Sequence, residues 1–257
     1  MNELPNLPFG VWLGHTRDTD DVPEFTTLCA DDDYRAEAVE ASATALPIHY
    51  IATERLDGIL ERLGKVAAAE AVRQKIPKRL TARSGDFGEI LASHYINQET
   101  VYDLGITRLR WSDHPEMAMR GEDMLAFNET DERLFILKGE SKSRAKLNTK
   151  TVQEARAGLN KNSGLPSPNA LAFVADRLHE TGKTNLAEKI DDVNLTGGIR
   201  PDDVCHMLFT LSGNDPTSFL EKDLNCYNGD NEQMSVGVRI PDHGAFIADV
   251  FEYDIDG

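Results

Sequence analysis

Arg120-Gly-Glu-Asp-Met-Leu-Ala-Phe127 and, after a polar break, Leu134-Phe-Ile-Leu-Lys-Gly-Glu-Ser-Lys142 decide how this chain is read. Each run is short and apolar, and the polar residues 128–132 between them have turn composition. The pair predicts a β-hairpin with strands at 123–127 and 133–142. Alternate side chains of a strand share a face, so Glu140 and Lys142 point the same way. A turn centred near Thr130 sets Asp123 opposite a residue near Leu137, with Glu140 about three positions further along.

Two carboxylates and an ammonium at the end of an apolar hairpin match the needs of metal-dependent phosphodiester hydrolysis. The carboxylates of Asp123 and Glu140 are hard oxygen ligands for a hydrated Mg²⁺ or Mn²⁺. Lys142 supplies a positive charge that can orient water or steady the phosphoryl group. An exposed strand end with an i, i+2 salt pair has the same composition. What favours chemistry is position: the triplet ends an apolar strand, follows a strand-borne Asp and precedes a basic helix.

A fourth candidate is Glu89, in Ser84-Gly-Asp-Phe-Gly-Glu-Ile-Leu-Ala-Ser-His-Tyr95. Spacing predicts a helix over 86–97 whose apolar stripe is Phe87, Ile90, Leu91 and Tyr95. Glu89 shares the other face with Gly85, Ala92 and Ile96, and small neighbours there let that face approach a sheet. Asp86-x-x-Glu89 is also a capping-box pattern, which gives Glu89 a purely structural alternative. His94 lies on the stripe and reads as packed, and Lys150 and Gln153 read as helix surface.

Working outward, strands are expected at 9–14, 25–29, 204–211 and 235–240, and helices at 34–45, 51–74 and 170–180. The 51–74 helix carries Leu56, Ile59, Leu60, Leu63 and Val66 at helical spacing and stops before Pro77. Thr151-Val-Gln-Glu154 reads as a capping box opening another helix, and 163–169 as a loop. Residues 246–255 fit a strand or a helix. Loose alternation of strands and helices predicts a mixed α/β fold.

Composition is that of a globular chain: 257 residues, 40% hydrophobic and 28% charged. It carries no run long and apolar enough to span a membrane and no basic-then-apolar leader, so no membrane association is expected. Three widely spaced cysteines without Cys-x-x-Cys exclude zinc ribbons and suit a reducing cytoplasm. The net charge of -17 is unevenly spread. Residues 1–50 carry -8 and residues 186–257 carry -11, leaving +2 in the middle, of which 138–161 alone carries +5. A polyanion can touch that stretch, while the acidic ends repel free DNA or dock on a basic partner. Solvated lysines and solubilising ends would give the same map.

At these residues the chain resembles the PD-(D/E)xK nuclease superfamily. The strings GDFGEILASHY (85–95), RGEDMLAF (120–127) and LFILKGESKS (134–143) resemble the HamA family of the Hachiman anti-phage defence system. The resemblance implies a DNA nuclease effector held by HamB, a large helicase partner. It implies Asp123 and Glu140 as metal ligands, Lys142 as catalytic lysine and Glu89 as a helix-borne auxiliary at the metal. Two features depart from the superfamily pattern. Glu122 stands where Pro often precedes the first Asp, and Gln153 is followed four residues on by Ala157 rather than the Tyr of RecB-like members.

The expectation is one α/β domain over 1–257. Its core near 84–212 is a restriction-endonuclease-like mixed sheet flanked by helices, with the terminal segments packed around it. The expected activity is Mg²⁺- or Mn²⁺-dependent DNA cleavage as effector of a defence complex. A free-standing restriction- or repair-type nuclease and a non-cleaving regulatory subunit of the same fold are the alternatives.

Overall fold

The computed structural model describes residues 12–17, 24–117, 121–130 and 133–253. Seven strands form one mixed sheet: β1 (Leu13–Arg17), β2 (Glu24–Ala30), β3 (Asp103–Leu104), β4 (Met124–Glu129), β5 (Leu134–Arg144), β6 (Val204–Ser212) and β7 (Glu232–Arg239). They lie in the order β1-β2-β7-β6-β5-β4-β3. Strands β2, β7, β6 and β5 run parallel, and both edges are antiparallel. Nine α-helices accompany the sheet among the described residues: α1 (Arg35–Tyr50), α2 (Thr53–Leu63), α3 (Lys65–Arg73), α4 (Leu80–Glu99), α5 (Thr149–Leu159), α6 (Pro168–Glu180), α7 (Thr184–Thr196), α8 (Thr217–Cys226) and α9 (His243–Glu252). The expected class, a mixed α/β sheet flanked by helices, is the one observed.

Strand β6 explains the layering. It is buried at all of its positions, which requires cover on both faces. On one face Met207, Phe209 and Leu211 pack with Leu137 of β5 against α1, α4 and α9. On the other, Leu208 meets Val152, Ala155 and Leu159 of α5 and Leu220 of α8. Further along that face, Leu134 and Ile136 of β5 meet Leu171, Val174 and Leu178 of α6 and Ala187 and Ile190 of α7. Helix α4 is the central brace: Phe87, Ile90, Leu91 and Ile96 have no exposed surface. Each such side chain contributes about 1.5–3 kcal/mol of burial. The N-terminal strands extend the sheet beyond β7, so segments from both ends of the chain pack on this core.

Several local expectations change. The helix expected over 51–74 breaks at Gly64, whose φ is +82°, a value that favours glycine. Only the start of its apolar stripe reaches the core: Leu56 packs there, whereas Leu63 is 67% and Val66 82% exposed. Helix α4 starts a turn and a half earlier than its periodicity suggested, with Arg79 at the N-cap. Asp86 and Glu89 are therefore interior to it, and the capping-box role of Glu89 falls. Helix α5 is capped by Asn148, whose side chain accepts from the Thr151 N–H, so Thr151 opens no capping box. The ambiguous segment 246–255 is helical as far as Glu252. Helix α1 continues through Pro47 to Tyr50. Of the strand expected at 9–14, residues 9–11 lie outside the described residues, and β1 starts at Leu13.

Candidate active site

The hairpin register decides what meets what. Met124 pairs with Gly139 and Leu125 with Lys138, so the turn is centred beyond Thr130. Continuing the register one step sets Asp123 beside Glu140, not beside Leu137 as the shorter turn implied. The Asp123 carboxylate is anchored there: its Oδ2 accepts from the Ser141 N–H at 3.0 Å. Glu140 and Lys142 share a face as expected, with Lys142 Nζ donating to Glu140 Oε1 at 2.5 Å.

Alternation along β5 divides the site between the two faces of the sheet. Glu140 faces α5, where Gly158 lies directly against its carboxylate. Ser141 and Ser143 face α4, where Gly88 gives the close approach and Ser84 Oγ lies 2.8 Å from Ser143 Oγ. Gly88, rather than Gly85, is thus the glycine that lets α4 reach the sheet; nothing crowds Gly85. Glu89 comes in from the α4 side. It is joined to Asp123 by Arg108, which sits in a short 3-10 turn, Arg108–Trp111, between β3 and β4. Arg108 Nη1 is 3.3 Å from Glu89 Oε2 and 3.7 Å from Asp123 Oδ1. Asp123 is the centre of the constellation, with Glu140 on one side and the Arg108–Glu89 pair on the other.

The electrostatics follow from burial and from these neighbours. Burial, then the Asp123 charge, pushes the Glu89 carboxyl up to about 8, and Arg108 only partly opposes this. Glu140 is raised for the same two reasons, against the pull of Lys142. Asp86, one turn before Glu89, is pushed by burial to about 6 and accepts from the Tyr50 hydroxyl at 2.7 Å. Crowded carboxylates that raise one another's pKa are characteristic of sites built to hold a cation or move a proton.

The donor set suits a hard divalent cation: carboxylate oxygens, with no thiol or imidazole among them. Their positions, however, are those of ion pairs. Among the described residues no three His, Cys, Asp or Glu side chains converge on one point. The Glu140 carboxylate is turned to Lys142, and those of Glu89 and Asp123 to Arg108. An ion bound here would draw Asp123 and Glu140 together.

Three supports escaped the sequence reading. Glu122, at the position where Pro is frequent in the superfamily, accepts from the Ser167 N–H at 2.7 Å and from its hydroxyl at 3.0 Å. It thereby ties the segment carrying Asp123 to the N-cap of α6. Lys138 is buried, and its Nζ donates to the carbonyls of Leu159, Lys161 and Leu165, each at 2.9 Å. That fixes the end of α5, and so Gly158, against β5. Arg108 had no signal in periodicity or motif. Of the basic stretch 138–161, Lys138 and Arg156 are committed internally, the latter to Asp223 at 2.6 Å. Lys150 and Gln153 are exposed on α5, as expected for helix surface. His94 is packed as expected, its Nε2 lying 3.0 Å from His49 Nε2.

Comparison with known proteins matches the HamA family model to residues 8–253. The chain belongs to the HamA family. A relative described as Hachiman protein HamA, from Bacillus cereus, is 30% identical over 252 residues, covering 95% of this chain and 90% of the relative. The HamA match includes all four candidate residues, and no helix among the described residues is long and apolar enough to cross a membrane.

Proposed function

We propose that this HamA-family chain is a metal-dependent DNA nuclease and the effector subunit of a Hachiman anti-phage defence complex, working with a helicase partner in the cytoplasm. The observation that carries the reading is the meeting of Asp123, Glu140 and Lys142 at one end of the β4–β5 hairpin, beside a helix that brings Glu89. These four residues fall within 84–212, the proposed nuclease core.

In this reading Asp123 and Glu140 hold Mg²⁺ or Mn²⁺, with Glu89 as an auxiliary carboxylate on the helix side. When bound, the ion lowers the pKa of its water and stabilises charge on the phosphoryl oxygens. Lys142 sets its ammonium where the scissile phosphate gathers charge, and its bond to Glu140 Oε1 holds the ammonium in place between turnovers. The Asp123–Ser141 hydrogen bond fixes one carboxylate relative to the strand that carries the other. Gly158 leaves the space that the Glu140 carboxylate occupies. The acidic ends keep free DNA away from the isolated subunit and leave most phosphate contacts to the partner.

The test is incubation of the chain on plasmid and linear DNA, with and without the helicase subunit, in Mg²⁺, Mn²⁺ or EDTA. Cleavage is expected only with metal. It should fall about 10²–10³-fold in Glu140→Ala, Asp123→Ala or Lys142→Ala, the loss seen when one charge-stabilising group is removed. Double variants should lose little more than single ones, because the groups act as a unit. Full cleavage by Glu140→Ala would overturn the assignment.

A further inference from the structure

Arg108 stands where a cation is wanted. A single nitrogen, Nη1, is within 4 Å of both Glu89 and Asp123, and the Arg108 side chain is only 12% exposed. Its Nη1 lies 3.3 Å from the Glu89 carboxyl and 3.7 Å from the Asp123 carboxylate and so holds both groups, whereas a Mg²⁺ ligand oxygen lies about 2.0–2.1 Å from the ion. The carboxylates cannot close on an ion while the guanidinium lies between them, and a divalent cation would repel that guanidinium.

We propose that Arg108 is an internal counter-ion that competes with the divalent metal, keeping the site unloaded until the guanidinium is drawn away. The structure offers it a destination. Arg108 and Glu89 line a cavity of about 250 Å³ whose wall also includes Asp86, Tyr50 and Glu116. Asp86, which accepts from the Tyr50 hydroxyl, is an anionic group on that wall, whereas Glu116 is held by Arg79, so a phosphate of an entering strand is the stronger acceptor. Metal loading and phosphate binding then favour one another, because each takes a partner from the other's competitor. Arg108 is thus a positioning residue, and the inference rests on the metal-site reading above.

The experiment is calorimetric titration of the full chain with Mn²⁺ alone, without DNA, for wild type, Arg108→Gln, Arg108→Lys and Asp123→Asn. Folding of each variant is checked by thermal melting. Arg108→Gln is expected to bind Mn²⁺ at least about tenfold more tightly than wild type. Arg108→Lys, which keeps the charge but cannot bridge with a planar fork, should fall between them. Equal or weaker binding by Arg108→Gln, with binding still lost in Asp123→Asn, would overturn the counter-ion role and leave the metal site standing. Absence of Mn²⁺ binding in both wild type and Arg108→Gln, or binding indifferent to Asp123→Asn, would overturn both. If Arg108→Gln does not fold, the comparison of Arg108→Lys with wild type decides in the same way.

Discussion

The carboxylate of Glu140 lies against the α-carbon of Gly158 on α5. A β-carbon built at Gly158 would come within 2.7 to 3.0 Å of the Glu140 carboxylate atoms, closer than side chains pack. The obstacle is the end of a flexible side chain, so Gly158→Ala should fold, and alanine is favoured over glycine in a helix by about 1 kcal/mol. Glu140 would have to leave its place beside Lys142. The expected result is an unchanged or slightly raised melting temperature together with a loss of cleavage approaching that of Glu140→Ala. Wild-type cleavage in Gly158→Ala would show that the observed Glu140 position is not the working one.

Glu89 gives a pH signature. Its carboxyl is pushed up to about 8 from an ordinary 4.5, chiefly by burial. Between those values the folded chain holds a proton that the unfolded chain has released, so folding stability falls as pH rises through that window. Glu89→Gln, which mimics the protonated form, should match wild type near pH 4 and be the more stable protein at pH 8.5. Melting curves in EDTA measure this. A stability difference that does not change with pH would contradict the burial of an ionisable Glu89.

Four histidines act in the opposite direction. Burial holds His49 well below its ordinary value and brings His94, His206 and His243 to about 4. Below about pH 6.5 the unfolded chain takes up protons that the folded chain refuses, at about 1.4 kcal/mol per pH unit for each fully displaced group. The four histidines therefore pull stability down from pH 6.5 toward 4, against a smaller opposite pull from Glu89, Glu140 and Asp86, so the net profile should fall. Urea midpoints measured at half-unit steps would expose a flat profile, which this account forbids.

Lys138→Met should be strongly destabilising. It removes a buried ammonium that serves three main-chain carbonyls and leaves those acceptors unpaired, a loss of more than about 3 kcal/mol. Lys142→Met, a few residues along the same face, should leave the melting temperature nearly unchanged and abolish cleavage. Parallel melting of the two variants separates a lysine that holds the fold from one that serves chemistry. Equal stability of both would contradict the role given to Lys138.

What the sequence determined by itself was the periodic part. The hairpin strands, the α4 stripe of Phe87, Ile90, Leu91 and Tyr95, the apolar run that became β6, and the shared face of Glu140 and Lys142 all follow from spacing. Each is a local property, fixed by the repeat of a strand or a helix. The helical spacing from Leu56 to Val66 suggested one continuous helix, which the fold breaks at Gly64 and leaves exposed at Leu63 and Val66. Tertiary structure decided the remainder. Hairpin register, set by turn geometry, moved Asp123 from beside Leu137 to beside Glu140. The start of α4 at Leu80 removed the capping alternative for Glu89. The packing of α5 on β5, and of the Arg108–Trp111 turn beside α4, brought Gly158 and Arg108 to carboxylates 18 and 19 residues away in the chain. No pattern in the sequence marks those contacts, because they depend on how separate elements cross, and that is settled only when the whole sheet has been covered on both faces.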